Sequence, residues 1–150
     1  MKHTEGLMRQ SSVPENGYEL YFDERDGMVR IRFFDILGPA EPKEGEELTD
    51  SVRFRYHDIW DYDIKGIEDY VKENTAWLLE RAKEEEKQAL ALEIKDVRND
   101  LLVTADHKVN TAMDAGDQIA IGKARLYRQA LRDVPEQEGF PYDVAWPFIT

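Results

Sequence analysis

The residues most suggestive of chemistry lie in YHDIWDYD, residues 56–63. His57, Asp58, Asp61 and Asp63 are the types that hold a hard metal ion or form an acid–base pair. The same segment lies where a strand gives way to a helix, and Asp there is the ordinary turn former and N-cap. His57 reads as part of the strand's polar face, so a structural role is the preferred reading. The other histidines, His3 and His107, are far from His57 in sequence and give no metal-ligand spacing. No phosphate-binding glycine loop and no nucleophile elbow occurs. No catalytic, cofactor-binding or metal residue is therefore assigned, and no enzyme is expected.

Arg30, Arg32, Arg53 and Arg55 form a second candidate, a basic patch with Tyr21 and Phe34 on the exposed face of a sheet. Glu19, Asp23 and Asp35 are placed on that side too, and cross-strand ion pairs explain the pattern more simply. The acidic run KEEEK at 83–87 reads as a solvated helical face with internal pairing.

Bulk composition narrows the partners. The chain has 150 residues, 35% of them charged, and a net charge of −12. Nucleic acid and anionic membranes are poor partners for such a surface. The absence of cysteine removes thiolate and disulfide chemistry. The opening MKHTEGLMRQSS lacks a signal-peptide apolar core, and no run approaches a membrane span. A cytoplasmic protein that binds another protein is the expectation.

The elements that must position these residues follow from patterning. Residues 1–16 read as a polar N-terminal arm whose ordering would call for a neighbour. YELYFDERDGMVRIRFFDIL, 18–37, alternates as two strands about Asp26-Gly27, a tight hairpin turn. An acidic Pro/Gly loop covers 38–50. A third strand at 51–59 sets Val52, Phe54 and Tyr56 against Arg53, Arg55 and His57. Asp63 caps a helix from Ile64, and Ile67, Val71 and Leu78 cover the sheet. Residues 17–80 thus form a small antiparallel sheet with a helix over it. Residues 81–89 are a charged helical bridge with nothing to bury. Residues 90–150 hold an αα-hairpin and an extended aromatic tail. Its first helix carries Leu90, Ile94, Val97 and Leu101, a stripe that fades near Asp106. Gly116-Asp117 breaks the chain and caps a second helix bearing Ala120, Ala124, Tyr127, Leu131 and Val134, stopped by Pro135. The fold class is α+β.

Three segments of that last part carry a resemblance: VRNDLLVTADH at 97–107, ARLYRQALRDVPEQEGFP at 124–141 and DVAWP at 143–147. Their order resembles the tail assembly chaperone and tail-fibre assembly proteins of tailed bacteriophages. Arg98, Leu101 and Leu102 match the family's first helix. Tyr127, Arg128, Gln129, Leu131, Arg132, Asp133 and Pro135 match its second. Gly139, Phe140, Pro141, Val144, Trp146 and Pro147 match its tail. His107 stands where the family has Trp, and HKVNTAMDAGDQI at 107–119 replaces a short Pro-containing linker. The resemblance implies a non-enzymatic chaperone that binds a phage tail or tail-fibre polypeptide in the host-cell cytoplasm and aids its folding or attachment. A permanent virion component, such as a baseplate or fibre adaptor, is the alternative, and self-association is left open. Tyr127, Phe140, Tyr142, Trp146 and Phe148 are the candidate partner-binding residues, because aromatic side chains are favoured anchors. The tail could equally fold back as a lid on its own hairpin.

Overall fold

The structure, a computed structural model, describes residues 5–41 and 50–149. The first four residues of the arm and most of the acidic loop expected at 38–50 lie outside these. The fold is α+β. The chain divides into two compact units, residues 1–85 and 86–150, and each is described by itself.

The first unit is built on four strands: β1 (Glu5–Arg9), β2 (Tyr18–Asp23), β3 (Met28–Pro39) and β4 (Ser51–Tyr62). They lie in the order β1-β4-β3-β2, and every neighbouring pair is antiparallel. The hairpin β2–β3 stands where the Asp-Gly signal put it, but its turn is built differently. Four residues, Glu24 to Gly27, connect the strands, and only Gly27 has positive φ (61°). Asp23 organises the bend instead: its Oδ1 accepts from the Arg25 N–H at 3.0 Å and its carbonyl from the Gly27 N–H at 3.1 Å.

Part of the expected arm is strand. Glu5–Arg9 pairs with residues 51–55 of β4, so the chain's own sheet orders it. Gly6 lies opposite Phe54, whose ring covers the glycine so closely that a Cβ there would stand 2.7 Å from Cζ. An aromatic over an edge glycine supplies the apolar cover that the polar sequence EGLMR lacks.

The face of β4 is also corrected. Facing residues of antiparallel strands share a side of the sheet. Ile31 pairs with Ile59 and Phe33 with His57, so His57 and Ile59 join the hairpin's apolar face. Val52, Phe54 and Tyr56 lie on the other face, because a shift of one residue reverses every side chain. The core contains Tyr18, Val29, Ile31, Phe33, Ile59, Ile67, Val71, Leu78 and Ala82.

The covering helix starts later than expected. β4 runs on to Tyr62, and the Asp63 N–H is spent on the Gly27 carbonyl at 2.9 Å. Helix α1 (Ile67–Glu73) begins after Gly66, whose φ is 86°. Asn74 interrupts it, with its side-chain amide donating to the Tyr70 carbonyl at 2.8 Å. Helix α2 (Thr75–Asp114) follows, 40 residues without Gly or Pro. The charged stretch 80–88 is helical within it, but it does bury something: Ala82 is fully buried one turn after Leu78. Arg81 lies 3.6 Å from Asp61, and Lys83 lies 3.6 Å from Asp35.

The second unit takes the remainder of α2, helix α3 (Gln118–Arg132), a 3₁₀ turn at Val134–Glu136 and an extended tail. At the end of α2 the Gly116 N–H bonds the Met113 carbonyl and the Asp117 N–H bonds the Ala112 carbonyl, with Gly116 at φ 66°. This closes α2 as a Schellman motif. The Asp117 side chain then accepts from the Ile119 and Ala120 N–H groups, each at 3.0 Å, and caps α3. The buried stripe on α2 is Ala105, Val109 and Ala112, so it does not fade at Asp106, and Val97 is exposed. Ile121, Ala124 and Leu131 are the buried residues of α3, with Val134 just beyond. Arg128 Nη1 donates to Asp106 Oδ1 at 2.9 Å, tying the two helices.

Candidate partner-binding surface

Strand geometry takes apart the cluster at 56–63. His57 and Asp58 are neighbours on β4 and point to opposite faces. His57 is buried, and its Nε2 lies 3.1 Å from Asp35 Oδ2. Asp58 serves the other face. Among the described residues no group of three or more His, Asp or Glu side chains is gathered for a metal.

The basic patch divides in the same way. Arg30 and Arg32 share a face with Tyr21, Tyr56 and Trp60, whereas Arg55 is paired across the sheet with Asp35 on the opposite face. Arg32 donates from Nε and Nη2 to the two oxygens of Asp58, both at 2.7 Å, and lies 3.9 Å over the Tyr56 ring. The hydrogen bonding to Asp58 raises the pKa of the Arg32 guanidinium, against the opposing effect of burial. Arg30 lies 4.5 Å over Tyr21. Tyr21 donates its hydroxyl proton to Glu19, and this bond is the main reason its pKa is raised. These cations are held by carboxylate and rings of their own sheet.

The C-terminal tail is fastened along part of its length. Pro141 is fully buried, and Phe140 and Val144 are half-buried. Gly139 meets the chain again at Asp143, whose N–H bonds the Gly139 carbonyl at 2.7 Å. A Cβ at Gly139 would stand 2.4 Å from the Asp143 carbonyl oxygen, so the turn requires glycine for space. The Gln137 amide then pairs with the backbone of Ala145: Nε2 donates to its carbonyl and Oε1 accepts from its N–H, each at 2.9 Å.

Within and beyond this clip aromatic side chains emerge. Tyr142 is 54% exposed, Trp146 38% and Phe148 83%. Tyr127 is half-buried on α3 and lines a shallow hollow with Lys123, Leu126, Ala130, Pro147, Phe148 and Ile149. Tyr127 and Phe148 therefore meet at one place, while Phe140 is half-buried and does not line that hollow. The sequence reading missed Ile119 and Leu126, exposed at 75% and 74% on α3. Their signal was available in the sequence: they stand seven residues apart on the side away from Ile121 and Ala124.

The second unit is thus a helical hairpin with a clipped, aromatic-rich tail. Residues 91–148 match the family model of the phage tail assembly chaperone protein. The match takes in the last part of α2, all of α3 and most of the tail. No curated protein and no solved structure matches the chain.

Proposed function

We propose that this protein is a non-enzymatic tail assembly chaperone of a tailed bacteriophage, which holds a tail or tail-fibre polypeptide in the host-cell cytoplasm while that polypeptide folds or attaches. Tyr142, Trp146 and Phe148 make the contact, Tyr127 forms the floor beside Phe148, and Phe140 supports the tail from beneath. The observation that carries this reading is the contrast within the tail: Pro141 is fully buried, while Phe148, further along the same tail, is 83% exposed. A tail serving only as a lid would bury its aromatics. One clipped at Gln137–Ala145 presents them with little ordering entropy left to lose.

The test is co-expression of the phage's tail and fibre proteins, one at a time, with this chain or with its Tyr142→Ser/Phe148→Ser double variant. The expected result is that one of them becomes soluble and co-purifies only with the unaltered chain. Equal recovery with both, from a variant that melts normally, contradicts the proposal.

A further inference from the structure

We infer that the outward face of α3 is a second contact surface, a seat for an amphipathic helix of the partner protein whose apolar stripe is edged by carboxylates. This rests on the proposed chaperone reading and specifies the chemistry of what is held. Three observations converge on it.

Ile119 and Leu126 are the first. Both are about three-quarters exposed, and seven residues place them two turns, roughly 10.5 Å, apart along one side of the helix. Ala130 extends the line into the hollow walled by Pro147, Phe148 and Ile149. Helix α3 is therefore apolar on two sides, one buried, with Ile121, Ala124 and Leu131, and one turned to solvent. A second helix laid along the outer side would meet it with apolar residues at matching spacing.

Gly122 is the second. It stands inside α3 between Ile119 and Leu126, where glycine is the least favourable residue after proline. Its φ is not positive, and a Cβ there would meet nothing within 4 Å. Neither backbone conformation nor packing within the chain requires a glycine. A missing side chain at the centre of an apolar stripe lets another helix come close.

Charge is the third and fixes the partner's chemistry. Helix α3 holds Lys123, Arg125, Arg128 and Arg132 and no acidic residue, in a chain whose net charge is −12. Arg128 is engaged by Asp106. Lys123 edges the hollow, and Arg125 and Arg132 are exposed on the other flank of the stripe. Carboxylates flanking an apolar stripe complement this pattern, and lysines in their place are repelled.

The probe is a synthetic helical peptide of about four turns, with leucines two turns apart and glutamates beside them, titrated into the full chain. A second peptide carries lysine for each glutamate. The Glu peptide is expected to bind about tenfold or more tightly than the Lys peptide. Gly122→Gln is expected to weaken binding at least about tenfold while leaving the melting temperature unchanged or raised, since Gln is the better helix former. Leu126→Ser should also abolish binding. Equal binding of both peptides, no binding of either, or a Gly122→Gln protein that melts lower overturns the inference. So does sedimentation showing a dimer that Leu126→Ser dissociates, because the occupant is then a second copy of this chain. If the peptides fail while the co-expression test above succeeds, the α3 seat is wrong and the chaperone reading stands.

Discussion

Replacing Gln137 with Ala should release the end of the tail without unfolding the protein. Two hydrogen bonds are removed, one given to and one taken from the Ala145 backbone, both 2.9 Å long. Each is worth about 0.5–1.5 kcal/mol net. Ala145 is exposed, so its freed N–H and carbonyl turn to water and incur no burial penalty. The total therefore falls near the lower end, about 1–2 kcal/mol. This is a local quantity, because Pro141 and Val134 remain buried and hold the turn. It should appear as roughly a five- to thirtyfold faster hydrogen exchange at the Ala145 amide, with almost no change in melting temperature. Gln137→Glu keeps the acceptor, loses the donor and sets a negative charge against the Ala145 carbonyl, so its tail should exchange at least as fast at neutral pH. An unchanged rate at Ala145 in the Ala variant would refute the idea that this one side chain clips the tail.

Three further substitutions probe the two units. Gly139→Ala drives a Cβ to 2.4 Å from the Asp143 carbonyl and should cost about 1–3 kcal/mol, read from thermal unfolding; a neutral result would show that the turn is loose. Ala82→Leu should destabilise by about 1–3 kcal/mol through overpacking beside Leu78, whereas an unchanged denaturation midpoint would return residues 80–88 to a purely solvated role. Tyr21 has its pKa raised above 10.0 by its bond to Glu19, so the folded state holds the proton more tightly than the unfolded chain. Its contribution is complete below about pH 10 and is lost as pH rises through the folded value; Tyr21→Phe should flatten the decline of the unfolding midpoint in that range, and an identical decline would count against the bond.

What could be read from the sequence was mostly local. Asp-Gly at 26–27 marked the hairpin, Gly116-Asp117 marked both the end of α2 and the cap of α3, and the YRQALRD, GFP and WP series marked the matched family. Pairing was harder. Which face Phe54, Tyr56 and His57 occupy depends on the register with β3, including its shift between Ile36 and Gly38, and no local pattern states that. β1 was hidden because EGLMR gains its apolar cover from Phe54, far along the chain. Small residues misled twice: Ala82 is a core residue inside a charged run, and Ala105 and Ala112 continue a stripe that larger side chains seemed to end. At the candidate surface the aromatics of the tail were named, but Gln137, which clips them, and Ile119 and Leu126, which lie opposite the buried stripe, were not.

The central claim is that the exposed tail aromatics grip a tail polypeptide. Its most direct test is the affinity of the captured tail protein for this chain and for the Trp146→Ala/Phe148→Ala variant, measured by titration alongside a melting curve. The predicted result is a loss of about 2 kcal/mol or more in binding, the scale of a hot spot, with melting unchanged. Unaltered affinity in the folded variant would contradict the account.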